Sequence, residues 1–216
     1  MQTRILFLAL FAALSANAFG QKDGVPDRKF SVGVPYLIFL NSVGGEEINT
    51  RHYEFHFKYD LTPKDKIGVK FATWSLFRPM GMLYWEDGVM DIKNKSEHYP
   101  GRLEERGIGV SYQRMLWKGL FAAVEVLPQY KRYLDENKNE IGDGFKLYTS
   151  FHIGYHISLF NKSKNNFLRN RFFIEPQVHG QWWFIDTNTP QEFRAKDDKW
   201  HNFFLPELNL YLGFKF

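Results

Sequence analysis

Residues 204–216 read FLPELNLYLGFKF. Phe204, Leu208, Leu210, Leu212, Phe214 and Phe216 share one parity, and Glu207, Asn209, Tyr211, Gly213 and Lys215 share the other. A repeat of two residues is the mark of a strand with one apolar and one polar face. The same alternation recurs upstream most clearly at 51–61. There Arg51, Tyr53, Phe55, Phe57, Tyr59 and Leu61 alternate with His52, Glu54, His56, Lys58 and Asp60. Four aromatic residues in succession against so polar an opposite face predict an exterior that meets hydrocarbon rather than water.

Eight strands are expected: 29–40, 51–61, 67–77, 107–116, 120–132, 145–159, 172–184 and 204–216. Their connections alternate between long (41–50, 78–106, 133–144, 185–203) and short (62–66, 117–119 and the six turn residues Asn161 to Asn166 within 160–171), and the long ones are rich in charge. An even strand count with short turns at one end and long loops at the other describes an up-and-down transmembrane barrel. The segment 78–106 is long enough to extend a hairpin above the membrane. Prolines 35, 128, 176 and 206 fall inside strands of a sheet that has no free edge. Pro35, Pro128 and Pro176 are therefore expected at bulges or rims, where register can shift by one residue, and Pro206 just before the last ten residues.

Residues 1–18 carry Arg4, a run ILFLALFAAL and a closing Ala16-Asn17-Ala18, the pattern of a secretory signal peptide. The run is too short for a membrane helix, which needs about 20 residues. The expected division is a signal peptide at 1–18 and a barrel at 19–216. Loss of the signal removes Arg4 and no acid, so a formal charge of +4 becomes +3. That excess is small, and export from the cytoplasm argues against a nucleic-acid partner. Cysteine is absent, so an exported chain of this size must be held by its core or by a closed hydrogen-bonded sheet. Aromatic residues make up 18% of the chain, yet the mean hydropathy is only −0.40. Interior polar residues of a barrel dilute the apolar signal in this way.

The export signal, the eight amphipathic strands and the ending Leu210-x-Leu212-x-Phe214-x-Phe216 resemble the small outer-membrane β-barrels of the OmpA, OmpX and PagP kind. The resemblance implies an all-β, eight-stranded antiparallel barrel with a polar, charge-balanced interior, in the outer membrane of a Gram-negative bacterium. It implies outer-membrane lipid and lipopolysaccharide as surroundings and a monomeric state. It also implies recognition of Leu210, Leu212, Phe214 and Phe216 by the barrel-assembly machinery. Members of this group include structural anchors, adhesins and lipid A-modifying enzymes, so fold alone does not choose a function.

With the apolar parity outside, the interior receives Glu54, Glu125, Glu175 and Glu207, Lys58, Lys70, Lys146 and Lys215, and His52, His56, His152, His156 and His179. An eight-stranded barrel is just wide enough for side chains to fill it. Charges placed there must pair or meet a large desolvation cost, so a network of ion pairs is expected. The histidine pairs 52/56 and 152/156 are separated by about 13 Å along a strand at ~3.3 Å per residue, too far to chelate one ion. No cofactor or metal is expected. The tripeptide His156-Ile157-Ser158 is similar to the His-x-Ser pair of outer-membrane lipid A 3-O-deacylases, which implies His156 as base, Ser158 as nucleophile and a nearby Glu. The chain departs from that pattern. The tripeptide points inward near the periplasmic end, its surroundings read GYHISLFNKSKNN, and the next acid, Glu175, is on another strand. The leading expectation is a non-enzymatic envelope or surface-interaction barrel. The alternatives are a lipid A-modifying acyl hydrolase or acyltransferase, and a narrow channel for small solutes.

Overall fold

The computed structural model describes residues 28–41, 49–80, 95–160, 163–165 and 167–216. The export-signal reading at 1–18 and part of the proposed upper hairpin therefore lie outside the described residues. The strands are β1 (Phe30–Pro35), β2 (Tyr53–Asp60), β3 (Asp65–Leu76), β4 (Gly101–Trp117), β5 (Leu120–Asp135), β6 (Glu140–Tyr155), β7 (Ile157–Ser158), β8 (Phe172–Asp186) and β9 (Phe203–Lys215). Two short helices, α1 (Leu37–Leu40) and α2 (Gln191–Asp197), complete the regular structure with a 3₁₀ turn at Lys95–Glu97.

Every pairing is antiparallel, and the order β6-β5-β4-β3-β2-β1-β9-β8 closes through β6–β8 into a ring. β7 continues β6, so the ring has eight staves: the chain is an eight-stranded up-and-down barrel. The seam joins the first strand to the last, with Ser31 opposite Lys215 and Pro35 opposite Tyr211. Phe216 extends it by exchanging backbone bonds with Phe30, at 2.9 and 3.2 Å. The end holding Phe30 and Phe216 is called lower here, and the end holding α1 and α2 upper.

Alternation assigns the two faces. On the outside stand Ile108 and Val110, each 63% exposed, and Leu208 at 72%. On the inside Glu54, Lys70, Glu125, Lys146, Glu175 and His179 are all buried. This inversion of the usual soluble pattern gives an apolar exterior around a polar, charge-paired interior. On β4 the outward apolar run is bounded by Arg106 above and Arg114 below. Those eight steps span about 26 Å along the strand at ~3.3 Å per residue, or about 20 Å once a ~40° tilt is allowed for.

Pro35 meets the expectation of a rim position, whereas the other prolines act differently. Pro35 ends β1 and the chain turns into α1, so the first strand stops short of residue 40. At Pro128 the β4–β5 ladder lapses between Gly107–Gln129 and Val110–Val126, yet register is the same on both sides. The missing N–H removes a rung without requiring an extra residue. Gly107 permits the close approach this needs, because a Cβ there would lie 2.4 Å from the Pro128 carbonyl oxygen. Pro176 likewise coincides with the lapse separating β6 from β7, again without a shift. The one-residue shift occurs instead at Pro206, where Leu205 and Pro206 face only Gly180.

Three connections also differ. β4 and β5 continue to Gly101 and Asp135, and β6 begins at Glu140, so the 12-residue loop expected at 133–144 reduces to residues 136–139. β3 and β4 pair as far as Leu76–Leu103, which raises that wall above the apolar belt. The connection 185–203 does not stay in solvent throughout: Phe193 of α2 is 0% exposed.

Candidate functional site

From the upper end downward, the interior begins with aromatic packing. Phe193 stacks against Tyr99 and Tyr133, with ring centroids 4.8 and 4.9 Å away, over Leu103. The Tyr99 hydroxyl donates to Asp197 at 2.5 Å, fastening the C-terminal end of α2 to the 3₁₀ segment's side of the mouth. Burial raises the Asp197 carboxyl above its ordinary range, and burial followed by the Asp197 charge raises the Tyr99 hydroxyl well above its own. A second apolar layer of Ala72, Trp74, Leu127 and Tyr148 lies within the barrel. Lys146 pairs with Glu105 at this level, and fully buried Lys131 pairs with Asp186.

The middle layer is a connected ion network. Lys70 Nζ donates to Glu125 at 2.8 Å and meets Glu54 at 3.1 Å. His56 bridges the same acids, with Nε2 at 2.7 Å from Glu54 and Nδ1 at 3.3 Å from Glu125. Tyr211 donates to Glu54, and His52 lies 3.3 Å from it. On the opposite wall His152, 3.5 Å from Glu125, meets its cross-strand partner His179 edge-on with ring centroids 4.9 Å apart, and His179 hydrogen bonds Glu207 at 2.8 Å. Lys70 serves both acids, and Tyr211 also donates to Glu54 and Ser150 to Glu125 at 3.4 Å, so each carboxylate has more than one donor, as buried charge requires.

The lower layer is organised by Glu175. Lys58 approaches its Oε2 at 3.4 Å, and Gln113 donates to Oε1 at 3.2 Å while accepting from Lys58 at 2.7 Å. His156 Nδ1 lies 2.8 Å from Oε1, and Ser158 Oγ lies 3.3 Å from His156 Nε2. The His156 backbone N–H donates to Gly119 at 2.8 Å, which carries the β5–β6 register one step past Leu120–Tyr155. Phe173 packs on the imidazole at 4.9 Å. Its ring occupies the space above Gly213, where a Cβ would come within 2.0 Å of it. Below this layer Asp60 is flanked by Lys66 at 3.3 Å and Lys215 at 3.4 Å.

The structure thus places His52, Glu54, His56, Lys58, Lys70, Glu125, Lys146, His152, Glu175, His179, Glu207 and Lys215 on the inner face, in layers rather than one cluster. It brings His156, Ser158 and Glu175 together, because β6–β7 and β8 are neighbours and Glu175 falls opposite His156 in the common register. Glu105, Lys131 and Gln113 also contribute and were not anticipated. Glu105 lies before the expected start of β4, and continuing that strand's parity would have found it, whereas Lys131 and Gln113 already stand at inward positions of the expected strands 120–132 and 107–116. Leu210, Leu212, Phe214 and Phe216 lie on the outward parity. Phe214 is nonetheless 6% exposed, covered by Phe167 and the Arg171 guanidinium.

No protein-family model matches this sequence, and no curated protein matches it. Among solved structures the chain is similar to the outer membrane protein Ail of Yersinia pestis, determined in a phospholipid bilayer nanodisc. The two are 9% identical over 88% of this chain and 100% of that one, with a TM-score of 0.45.

Proposed function

We propose that this chain is an integral barrel of a Gram-negative outer membrane, with a structural or surface-interaction role in the envelope and an interior that does not conduct. The carrying observation is the pairing of an apolar exterior, bounded on β4 by Arg106 and Arg114, with an interior whose acids and bases neutralise one another in contact. Exposed apolar residues on this scale require a hydrocarbon solvent. A belt about 20 Å tall is close to the ~25 Å of membrane barrels. The upper end, with its long strands and charged connections, then faces outward, and the lower end faces the periplasm. Residues 1–18 would direct export, and the outward-parity residues of β9 would be read during assembly.

The packed interior opposes a channel, since an aqueous path would have to displace Phe193, Tyr133 and Trp74 at the upper end and break the Lys70 network below. Fractionation should place the protein in the outer membrane as a heat-modifiable band. In planar bilayers the purified barrel should add no steady conductance. A reproducible single-channel step would overturn the non-conducting part, and recovery as a soluble protein would overturn the whole reading.

A further inference from the structure

We infer that Arg171, with Arg28 and Arg169, forms a site at the lower rim of the barrel for the phosphodiester headgroup of an anionic glycerophospholipid in the periplasm-facing leaflet. This rests on the membrane placement proposed above.

The depth of the site comes from the rings around it. Phe160, Phe172, Phe214, Phe216 and Phe30 follow one another from the end of β7 to the start of β1, with neighbouring ring centroids 5.2–6.4 Å apart. An aromatic girdle at one end of a barrel marks the boundary between hydrocarbon and headgroups. A cation held among these rings therefore sits at the level of lipid phosphates.

Arg171 is such a cation. Its guanidinium lies 4.7 Å from the Phe167 ring centroid and 5.5 Å from that of Phe214. The residue is only 7% exposed, and its Nε and Nη1 have no hydrogen-bond partner. Aromatic faces attract a guanidinium but carry no charge to neutralise it. A guanidinium so deeply covered calls for an anion in contact.

Among the described residues, the side-chain acids of this end are engaged elsewhere. Asp60 is held by Lys66 and Lys215, Asp65 by Arg114, and Glu175 by Lys58 and His156. The stretch that carries Arg171 deepens the imbalance: residues 160–173 read FNKSKNNFLRNRFF, with four cations and no acid, whereas the upper connection 185–203 mixes both signs. Arg28 Nη1 donates to the Arg169 carbonyl at 2.6 Å, tying the chain before β1 to this stretch. Burial, followed by the charges of Arg171 and Arg169, lowers the Arg28 guanidinium below its ordinary range, so the three cations act on one short arc of rim. The headgroup chemistry follows. A guanidinium presents its N–H groups in a planar fork that fits the two unesterified oxygens of a phosphodiester. The acyl chains of the same molecule rest on the rings above, and the excess of positive charge selects an anionic headgroup over a zwitterionic one.

The test uses full-length mature barrel folded in detergent, with heat-modifiability as the check on folding. Native mass spectrometry counts the lipid retained from an equimolar mixture of phosphatidylglycerol and phosphatidylcholine. The first lipid bound should be phosphatidylglycerol about fivefold more often, the effect of one guanidinium at a membrane surface. Arg171→Gln should bring the two lipids to parity. Arg114→Gln, at the same end but paired with Asp65, should keep the preference. If Arg171→Gln loses the heat-modifiable band, Arg28→Gln combined with Arg169→Gln, both at half-buried positions, carries the same comparison. A folded barrel that retains both lipids equally, or folded variants that keep the preference, would overturn the site. Displacement of phosphatidylglycerol by an equal concentration of inorganic phosphate would assign the site to a free anion and overturn the lipid. Loss of the heat-modifiable band in the unmodified protein would instead count against the membrane reading on which the inference rests.

Discussion

At the upper mouth, aromatic rings meet face and edge: Phe193 drops between Tyr99 and Tyr133, and Trp74 lies edge-on to Tyr148 at 5.3 Å. At the lower mouth, Lys58, Gln113, Glu175, His156 and Ser158 are joined by hydrogen bonds, and Asp60 sits between two lysines. One end is closed by apolar packing, which is non-directional and excludes water. The other is filled by directional contacts that leave one hydroxyl half-exposed. The contrast shows how a single barrel can pack aromatic rings at one end while keeping a polar, addressable surface at the other.

The largest effect should come from unbalancing the interior between the two mouths. Lys70→Met strands Glu54 and Glu125 without their shared cation. It should cost about 3–5 kcal/mol, read as a lower urea midpoint for unfolding from lipid vesicles. The matching change near the lower mouth, Lys58→Met, should cost only about 1.5–3 kcal/mol, because this layer is partly open to water. Equal losses would erase the distinction between a dry middle and a wetted end.

Phe193→Ala tests the upper closure. Removing a fully buried ring costs about 3 kcal/mol or more, but the loss here should stay local. Hydrogen exchange across 191–198 should rise sharply while the amides of β2 and β3 keep their protection. Uniform acceleration through the barrel would show that the upper layer is not a separable closure.

A smaller effect concerns pH. Asp197 has its carboxyl raised in the folded protein, so the folded state binds that proton more tightly than the unfolded chain does. The strain is present above the folded pKa and is relieved as pH falls through it. Protection of α2 should therefore increase between pH 8 and the carboxylate range. Asp197→Asn should flatten this dependence, and an unchanged slope in that variant would assign it elsewhere.

Within the apolar belt the fold was legible because the solvent on the two faces differs so strongly. Tyr53, Phe55 and Phe57 against Glu54, His56 and Lys58 admits one reading. Above the belt the outward parity meets water, and Arg102, Glu104, Arg106 and Arg132 replace the apolar residues. The contrast vanishes while the strands continue, which is why β4, β5 and β6 read as loops at 101–106 and 133–144. The burial of Phe193 left no periodic trace, since α2 has seven residues. His156 and Ser158 were visible as a pair. Their union with Glu175 depends on the register across β6–β7 and β8, which the connection between them conceals. Pro128 and Pro176 mislead for a related reason: a missing donor predicts a lost rung, whereas a register shift needs an extra residue, which among the prolines is found at Pro206.

The central claim is that the two parities of each strand face different solvents. The chain has no cysteine, so single cysteines along β4 can report it in native membranes. Ile108→Cys and Val110→Cys should react with a lipid-soluble maleimide and resist a charged, membrane-impermeant one. Ser111→Cys should resist both, and Arg106→Cys and Arg114→Cys should react with the charged reagent. Rapid labelling of Val110→Cys by the charged maleimide, or of Ser111→Cys by either, would contradict an apolar exterior in lipid around a packed interior.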